Sequence, residues 1–255
     1  MVSIPDRHDN SASPAQVPDV PADAVAWLSA EEMRAIDRVM IDELGIELEQ
    51  MMENAGRSLA VLARLLLGGS AAHKSVTVLA GRGGNGGGGL VAARHLANAG
   101  ARVRVSIAAP RRELAAVTRD QLDVLDAIAV PVELDAAAAV PPSDLVIDAL
   151  LGYSQAGPPR GGVARLLDAV KGLRVLSLDV PSGLELATGT LHSPHARAEA
   201  TLTLAAPKTA LRGPAATPAV GELYLADISV PACAFSRIGR DYVTPFADGP
   251  LVRII

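Results

Sequence analysis

The sequence has one cysteine, Cys233, among 255 residues, so it can form no intramolecular disulfide and no cysteine cluster for zinc. Cys233 lies in an apolar stretch near the C-terminus and is expected to be a buried bystander. Aromatic residues make up only 2% of the chain, too few to build base-stacking platforms. There is no basic excess: the formal net charge is −5, which argues against a nucleic-acid-binding surface. No apolar run approaches the roughly 20 residues of a membrane span, and the N-terminus lacks a basic-then-apolar leader. The default reading is a cytoplasmic protein. With 49% hydrophobic and 20% charged residues, the composition is that of an ordinary globular protein with a full core.

The sequence is locally rich in glycine. Seven of the nine residues from Gly81 to Gly89 are glycine. They follow the β-like run Ser75–Leu79 and precede the helix-like run from Leu90 to Leu96. Such density implies backbone at positive φ or the close approach of another group. A strand, a glycine turn and a helix start can also aim free backbone N–H groups at an anion.

Residues 1–24, rich in Pro, Ser, Asp and Ala, read as a disordered tail, and residues 25–255 as one domain. Ser29 and Glu32 form a capping box, with Leu28 and Met33 as a hydrophobic staple. Met33, Ile36, Met40 and Leu44 follow helical spacing up to Gly45. A second helix carries Leu48, Met51, Met52, Ala55, Leu59, Leu62 and Leu66 on one face and ends at Gly68-Gly69. That stripe predicts burial in a homodimer. Strands are then predicted at 75–80, 102–108, 130–133, 144–148, 174–179, 199–205 and 221–228. Helices are predicted up to Gly100, at 112–127 and at 163–171. The alternation predicts an α/β fold, a three-layer αβα Rossmann-like sandwich with a mostly parallel, doubly wound sheet behind two leading helices.

In such a sheet ligands bind beyond the carboxyl ends of the strands, where strand order reverses. Three features fall there: the glycine stretch, Asp148 with the loop 150–161, and Asp179 with Val180-Pro181-Ser182-Gly183. Strand order 3-2-1-4-5 would bring them into one cleft. Gly81, Gly83 and Gly86 fit G-x-G-x-x-G, a weak signal by itself. The acidic residue that usually ends the second strand is absent, and Arg111-Arg112 stand nearby, leaving an NADP-dependent oxidoreductase as one alternative. A Walker A motif and a Ser-His-Asp set are absent. His95 reads as a packed or surface residue, and His192 and His195 lack metal partners. An amide, two carboxylates and a hydroxyl are hard oxygen ligands, suited to an alkali or alkaline-earth ion.

Four segments together resemble the YjeF N-terminal domain family: Met51-Met52-Glu53-Asn54-Ala55-Gly56-Arg57, the stretch from Gly81 to Leu96, Asp148-Ala149-Leu150-Leu151-Gly152, and Leu178-Asp179-Val180-Pro181-Ser182-Gly183. The resemblance implies NAD(P)H-hydrate epimerase activity, the interconversion of R and S epimers of hydrated NADH and NADPH in cofactor repair. It implies one potassium ion per subunit on Asn85, Asp148 and Ser182. Substrate contacts would come from Gly84, Asn85, Gly86, Gly87 and Gly88, from Gly152, Tyr153, Ser154, Gln155, Ala156, Gly157 and Pro158, and from Asp179. Asp148 is the expected catalytic acid/base. A homodimer is implied, as is a separate dehydratase acting on one epimer, with no fused dehydratase domain expected. No nucleic-acid or membrane partner is implied. The family's loop has Asn where this chain has Gly84 and Asp where it has Gly88. A further alternative is therefore a non-catalytic nucleotide-binding or scaffolding member of the same fold.

Overall fold

The computed structural model describes residues 17–136 and 140–255. In chain order its principal elements are β1 (Asp19–Val20), α1 (Ala30–Arg38), α2 (Leu48–Leu66), β2 (Ser75–Ala80), α3 (Gly84–Asn98), β3 (Arg102–Ile107), α4 (Ala116–Ala127), β4 (Val132–Glu133), β5 (Leu145–Ala149) and α5 (Gly161–Ala169). Then follow β6 (Val175–Leu178), β7 (Leu184–Glu185), β8 (Thr190–Leu191), β9 (Ala200–Leu204), α6 (Thr217–Val220), β10 (Glu222–Ala226), α7 (Ala232–Arg237) and β11 (Leu251–Ile254).

Nine strands form one sheet in the order β1-β11-β10-β9-β6-β5-β2-β3-β4. All neighbours are parallel except β10 and β11. The first strand of the alternating region, β2, is flanked by β3 on one side and β5 on the other, so strand order reverses there, as the sequence predicts. The fold is an α/β sandwich. Both faces of β5 are covered, which is why all five of its residues are buried. β7 and β8 form a separate small hairpin. Among the described residues no helix is long and apolar enough to cross a membrane.

The leading helices follow their sequence signals. Ser29 Oγ accepts from Glu32 N–H, and the Glu32 carboxylate accepts from Ser29 N–H, closing the capping box. Leu28 and Met33 share a core cluster with Ile36 and Met40. The helix widens into a π turn at Val39–Glu43, and Gly45 then takes φ +66°. The apolar stripe of α2 is used inside the chain. Leu59 and Leu62 are fully buried, in one core cluster with Leu90, Ala93 and Leu96 of α3. Burying one such leucine stabilises the fold by roughly 1.5–3 kcal/mol. The stripe expected to seat a second subunit is thus largely covered by α3.

Two terminal expectations change. Residues 1–16 of the expected tail lie outside the described residues, but Asp19–Val20 are a strand. They pair in parallel with β11, and Arg253 holds Asp19 in a two-pronged ion pair. Cys233 is exposed rather than buried, because α7 turns Ala234 and Phe235 to the core instead.

The larger correction concerns the glycines. The sequence places a loop up to Gly89, whereas α3 begins at Gly84, and none of these glycines has positive φ. Close approach explains most of them, though a Cβ on Gly83 or Gly84 would meet nothing within 4 Å. A Cβ on Gly86 would lie 2.0 Å from the Gly81 carbonyl oxygen, one on Gly87 would lie 2.6 Å from Met52, and one on Gly89 would meet Ala149 at 2.6 Å. Across the same interface a Cβ on Gly56 would lie 2.7 Å from Gly88 O. Here α3 presses its backbone against α2 and the sheet, and packing overrides the poor helix propensity of glycine, which costs about 1 kcal/mol per residue relative to alanine.

Candidate functional site

The carboxyl ends of β2, β5 and β6 open on one cavity of about 880 Å³, within the usual 300–1,000 Å³ range of small-molecule sites. One wall is the start of α3, with Gly84, Asn85 and Gly88. A second is the loop 151–160, and a third is the apolar side of the leading helices, with Met33, Ile41, Met51 and Met52. Asp37, Asp179 and Lys208 supply titratable groups. The expected contact residues Gly152 to Pro158 and Asp179 therefore all line it. Gly86 and Gly87 do not; they are buried against Gly81 and Met52.

The loop after β5 is stitched to the turn after β6. Asn85 Nδ2 donates to the carbonyls of Leu151 and Leu178 at 3.0 and 3.3 Å. Leu151 N–H donates to Ser182 Oγ at 3.0 Å, and Tyr153 N–H to Asp179 Oδ2 at 3.1 Å. Gly183 N–H donates to Gln155 Oε1 at 2.9 Å. Five residues singled out from the sequence thus take part in this one seam: Asn85, Tyr153, Gln155, Asp179 and Ser182.

Asp148 lies beneath this seam. Strand register sets it opposite Ser177. Its Oδ1 accepts from Ser182 Oγ at 2.6 Å and Leu150 N–H at 3.3 Å. Its Oδ2 accepts from Ser182 N–H and Ser177 Oγ, both at 2.9 Å. The residue is 0% exposed and does not line the cavity, so the expected acid/base is enclosed. Burial pushes its carboxyl above the usual carboxylate range, against the lowering effect of these hydrogen bonds. Among the described residues no cationic side chain is bonded to it.

Asp179 differs. It follows β6 at φ +66°, a left-handed conformation that is uncommon outside glycine and often marks functional positions. Its Oδ1 accepts from the Lys208 ammonium, and both groups are almost wholly buried yet border the cavity. Lys208 also donates to Thr203 Oγ1 at 3.2 Å and Leu204 O at 2.8 Å, so all three of its donors are used. Tyr153 gives its hydroxyl proton to a hydrogen bond with Asp37 Oδ2. Burial raises the Tyr153 hydroxyl pKa, reinforced by the Asp37 charge.

Sequence reasoning passed over Lys208 and Asp37. Each had a signal: Lys208 is the only charged residue between Ala200 and Leu211, and Asp37 interrupts the apolar face formed by Met33, Ile36 and Met40. Other expectations settle simply. Arg111 is ion-paired with Asp123 and Asp126, and Arg112 with Glu113, and neither arginine lines the cavity. His95 pairs with Glu53 on the outside of α2. Among the described residues there is no group of three or more His, Cys, Asp or Glu placed to hold a metal.

The profile of the YjeF-related protein N-terminus matches residues 48–210, more than half of the chain. The chain belongs to this family. A relative from Dehalogenimonas lykanthroporepellens, called NAD(P)H-hydrate epimerase, is 44% identical over 235 residues, spanning 91% of this chain and 94% of that one. Another of the same name, from Truepera radiovictrix, is 37% identical over 236 residues, 89% of this chain and 100% of that one. The crystal structure of yeast ynu0 superimposes with a TM-score of 0.71 at 22% identity, covering 90% of this chain and all of that one. At that identity the likeness concerns the fold. The four segments that carry the resemblance in the sequence lie around the cavity: α2 and the start of α3 as walls, the β5 and β6 ends as its stitched floor.

Proposed function

We propose that this YjeF-family chain is an NAD(P)H-hydrate epimerase, interconverting the R and S epimers of hydrated NADH or NADPH. The observation that carries the reading is the Asp179–Lys208 pair bordering a dinucleotide-sized cavity at the switch point of the sheet. The hydrated nicotinamide ring would sit against Asp179. There a carboxylate can take or return a proton at the hydroxyl on the ring carbon, and the adjacent ammonium holds that carboxylate in place. Arg82 and Arg160 at the cavity wall are exposed and suit the phosphates. The apolar wall of Met33, Met51 and Met52 suits a ring and keeps water from one side.

This reading moves the acid/base role from Asp148 to Asp179 and leaves Asp148 in support. A fully buried carboxyl with no cationic partner is costly as an anion. Its hydrogen-bond partners are the Ser177 and Ser182 hydroxyls and the main-chain N–H groups of Leu150 and Ser182. The carboxylate, the Ser182 hydroxyl and the Asn85 amide oxygen are hard oxygen donors of the kind that suits potassium. Asn85, Asp148 and Ser182 would hold the ion. When bound, it would supply the positive charge that lets Asp148 stay ionised, and it would stiffen the loop that carries Tyr153. A homodimer, a cytoplasmic setting and a separate dehydratase consuming one epimer belong to the same proposal.

The test starts from purified single-epimer NADPH hydrate and follows the R/S ratio by chromatography, with and without potassium. Epimerisation well above the spontaneous rate is expected. No acceleration in either buffer would sink the reading. The bare positions Gly84 and Gly88 favour a second one, nucleotide binding without turnover. It would be supported by saturable NADPH binding in the absence of any acceleration.

A further inference from the structure

Asp37 is a charged group that helix packing does not account for. It lies on α1 among Met33, Ile36 and Met40, all buried, and it caps no helix. Its side chain faces the cavity. Among the described residues its only hydrogen bond comes from the Tyr153 hydroxyl to Oδ2, and Oδ1 has no protein partner. The main chain of the same tyrosine donates to Asp179 Oδ2 at 3.1 Å. One residue therefore bridges two carboxyl groups that face one cavity. Asp179 meets an ammonium, Lys208, while Asp37 meets a phenol.

The environments separate the two chemically. Burial raises the Asp37 carboxyl pKa, and the Asp179 charge adds to this, against the lowering effects of the Tyr153 hydrogen bond and the Lys208 charge. Two carboxyl groups with distinct surroundings in one site is the arrangement that divides acid from base roles. Inversion at a carbon bearing a hydroxyl needs such a division, because oxygen must leave one face and return to the other.

We propose that Asp37 is the second acid/base group of the epimerisation, acting at the same ring carbon as Asp179; this rests on the epimerase reading. The protonated Asp37 carboxyl gives its proton to the ring hydroxyl. The C–O bond breaks, its electron pair leaves with water, and the lone pair of the ring nitrogen forms a C=N bond. Water adds to the opposite face, its oxygen forms the new C–O bond, and the C=N pair returns to nitrogen. Asp179 takes the proton released by that water. The substrate's composition is unchanged. One proton has moved from Asp37 to Asp179 and re-equilibrates through the open cavity, and the reverse reaction exchanges the roles.

The experiment compares kcat and KM of wild type, Asp37→Asn and Tyr153→Phe on single-epimer NADPH hydrate. Asp37→Asn keeps the size and can still accept from Tyr153, but it cannot exchange a proton. Its kcat should fall by about 100-fold or more, with KM within about threefold of wild type. Tyr153→Phe should fall by about tenfold or less, since the carboxyl remains. A rate for Asp37→Asn within about threefold of wild type overturns the assignment, as does a raised KM at unchanged kcat. If circular dichroism shows that Asp37→Asn is unfolded, Asp37→Glu decides: a lower kcat at unchanged KM supports the role, and an unchanged kcat overturns it. An inactive wild type overturns the epimerase reading and this one together, whereas an active wild type with an unaffected Asp37→Asn overturns only this one.

Discussion

Asp148 and Asp179 lie at the ends of adjacent parallel strands, and both are almost fully buried. Asp148 keeps strand geometry and spends its four hydrogen bonds on uncharged donors below the cavity. Asp179 turns through φ +66°, meets an ammonium and borders the cavity. Burial is common to both, so burial does not assign their roles. The counter-charge and the side of the loop seam do. One carboxyl has no cation among its protein partners and suits a bound ion; the other has a fixed cation and suits a substrate.

The strongest way to break this contrast is to remove the fixed cation. Lys208→Met leaves Asp179 buried without its partner, which should cost about 3–5 kcal/mol of stability and abolish turnover. Urea denaturation measures the first and the epimer assay the second. A cost below about 1 kcal/mol would mean that Asp179 does not depend on Lys208.

Asp148→Ala comes next. It leaves two serine hydroxyls and the N–H groups of Leu150 and Ser182 without their acceptor, at about 1–3 kcal/mol for each group that stays unsatisfied. The hydroxyls can turn to other acceptors, so a total of about 3 kcal/mol is expected. The pH dependence has a definite sign. The folded-state value of Asp148 is raised, so in wild type the contribution of its protonated form is fully present below the unfolded value of about 3.9. It is lost as pH rises through the folded value. In potassium-free buffer the penalty for Asp148→Ala should therefore shrink as pH rises. A penalty that grows with pH would show that the fold stabilises the anion by itself.

The asymmetry between these residues was only half legible in the sequence. Local signals were reliable: the Ser29–Glu32 box, the strand runs and the order around β2 all appear where patterning puts them. Placing Asp148, Asp179 and Ser182 together needed only the strand-end rule for doubly wound sheets. What failed depended on distant partners. The short strands β1 and β11 exist because the two ends of the described chain pair with each other. Gly87 and Gly89 are accommodated in the helix because α2 and the sheet approach them too closely for side chains. Which carboxyl faces the cavity depends on a backbone turn at Asp179 and on Lys208, 29 positions away. No local period encodes that.

Potassium sharpens the contrast from the other side. An ion that binds only the folded protein stabilises it by about 2.7 kcal/mol at 100 times its Kd. Replacing potassium chloride with tetramethylammonium chloride at equal ionic strength should lower the unfolding midpoint of wild type and of an Asp179→Asn variant alike. In Asp148→Ala the two salts should give the same midpoint. A potassium effect that survives in Asp148→Ala would place the ion elsewhere.

The smallest effect on stability should come from Gly84→Asn, which introduces the side chain that the family resemblance leads one to expect there. A Cβ there meets nothing within 4 Å, and Gly84 is the first residue of α3, where helix propensity matters little. Stability should change by no more than about 0.5 kcal/mol. Gly88 is tighter, since a Cβ would meet the end of the Leu178 side chain at 3.0 Å, and Gly86 is closed by the Gly81 backbone at 2.0 Å. The three glycines thus rank as open, yielding and closed. Both open and yielding positions face the cavity that Asp179 borders. A change in KM for Gly84→Asn, with an unchanged melting curve, would show that the added amide reaches substrate. Unchanged kinetics would mean that the open space at Gly84 lies outside the substrate's path, leaving Gly88 as the glycine of the pair to test against turnover.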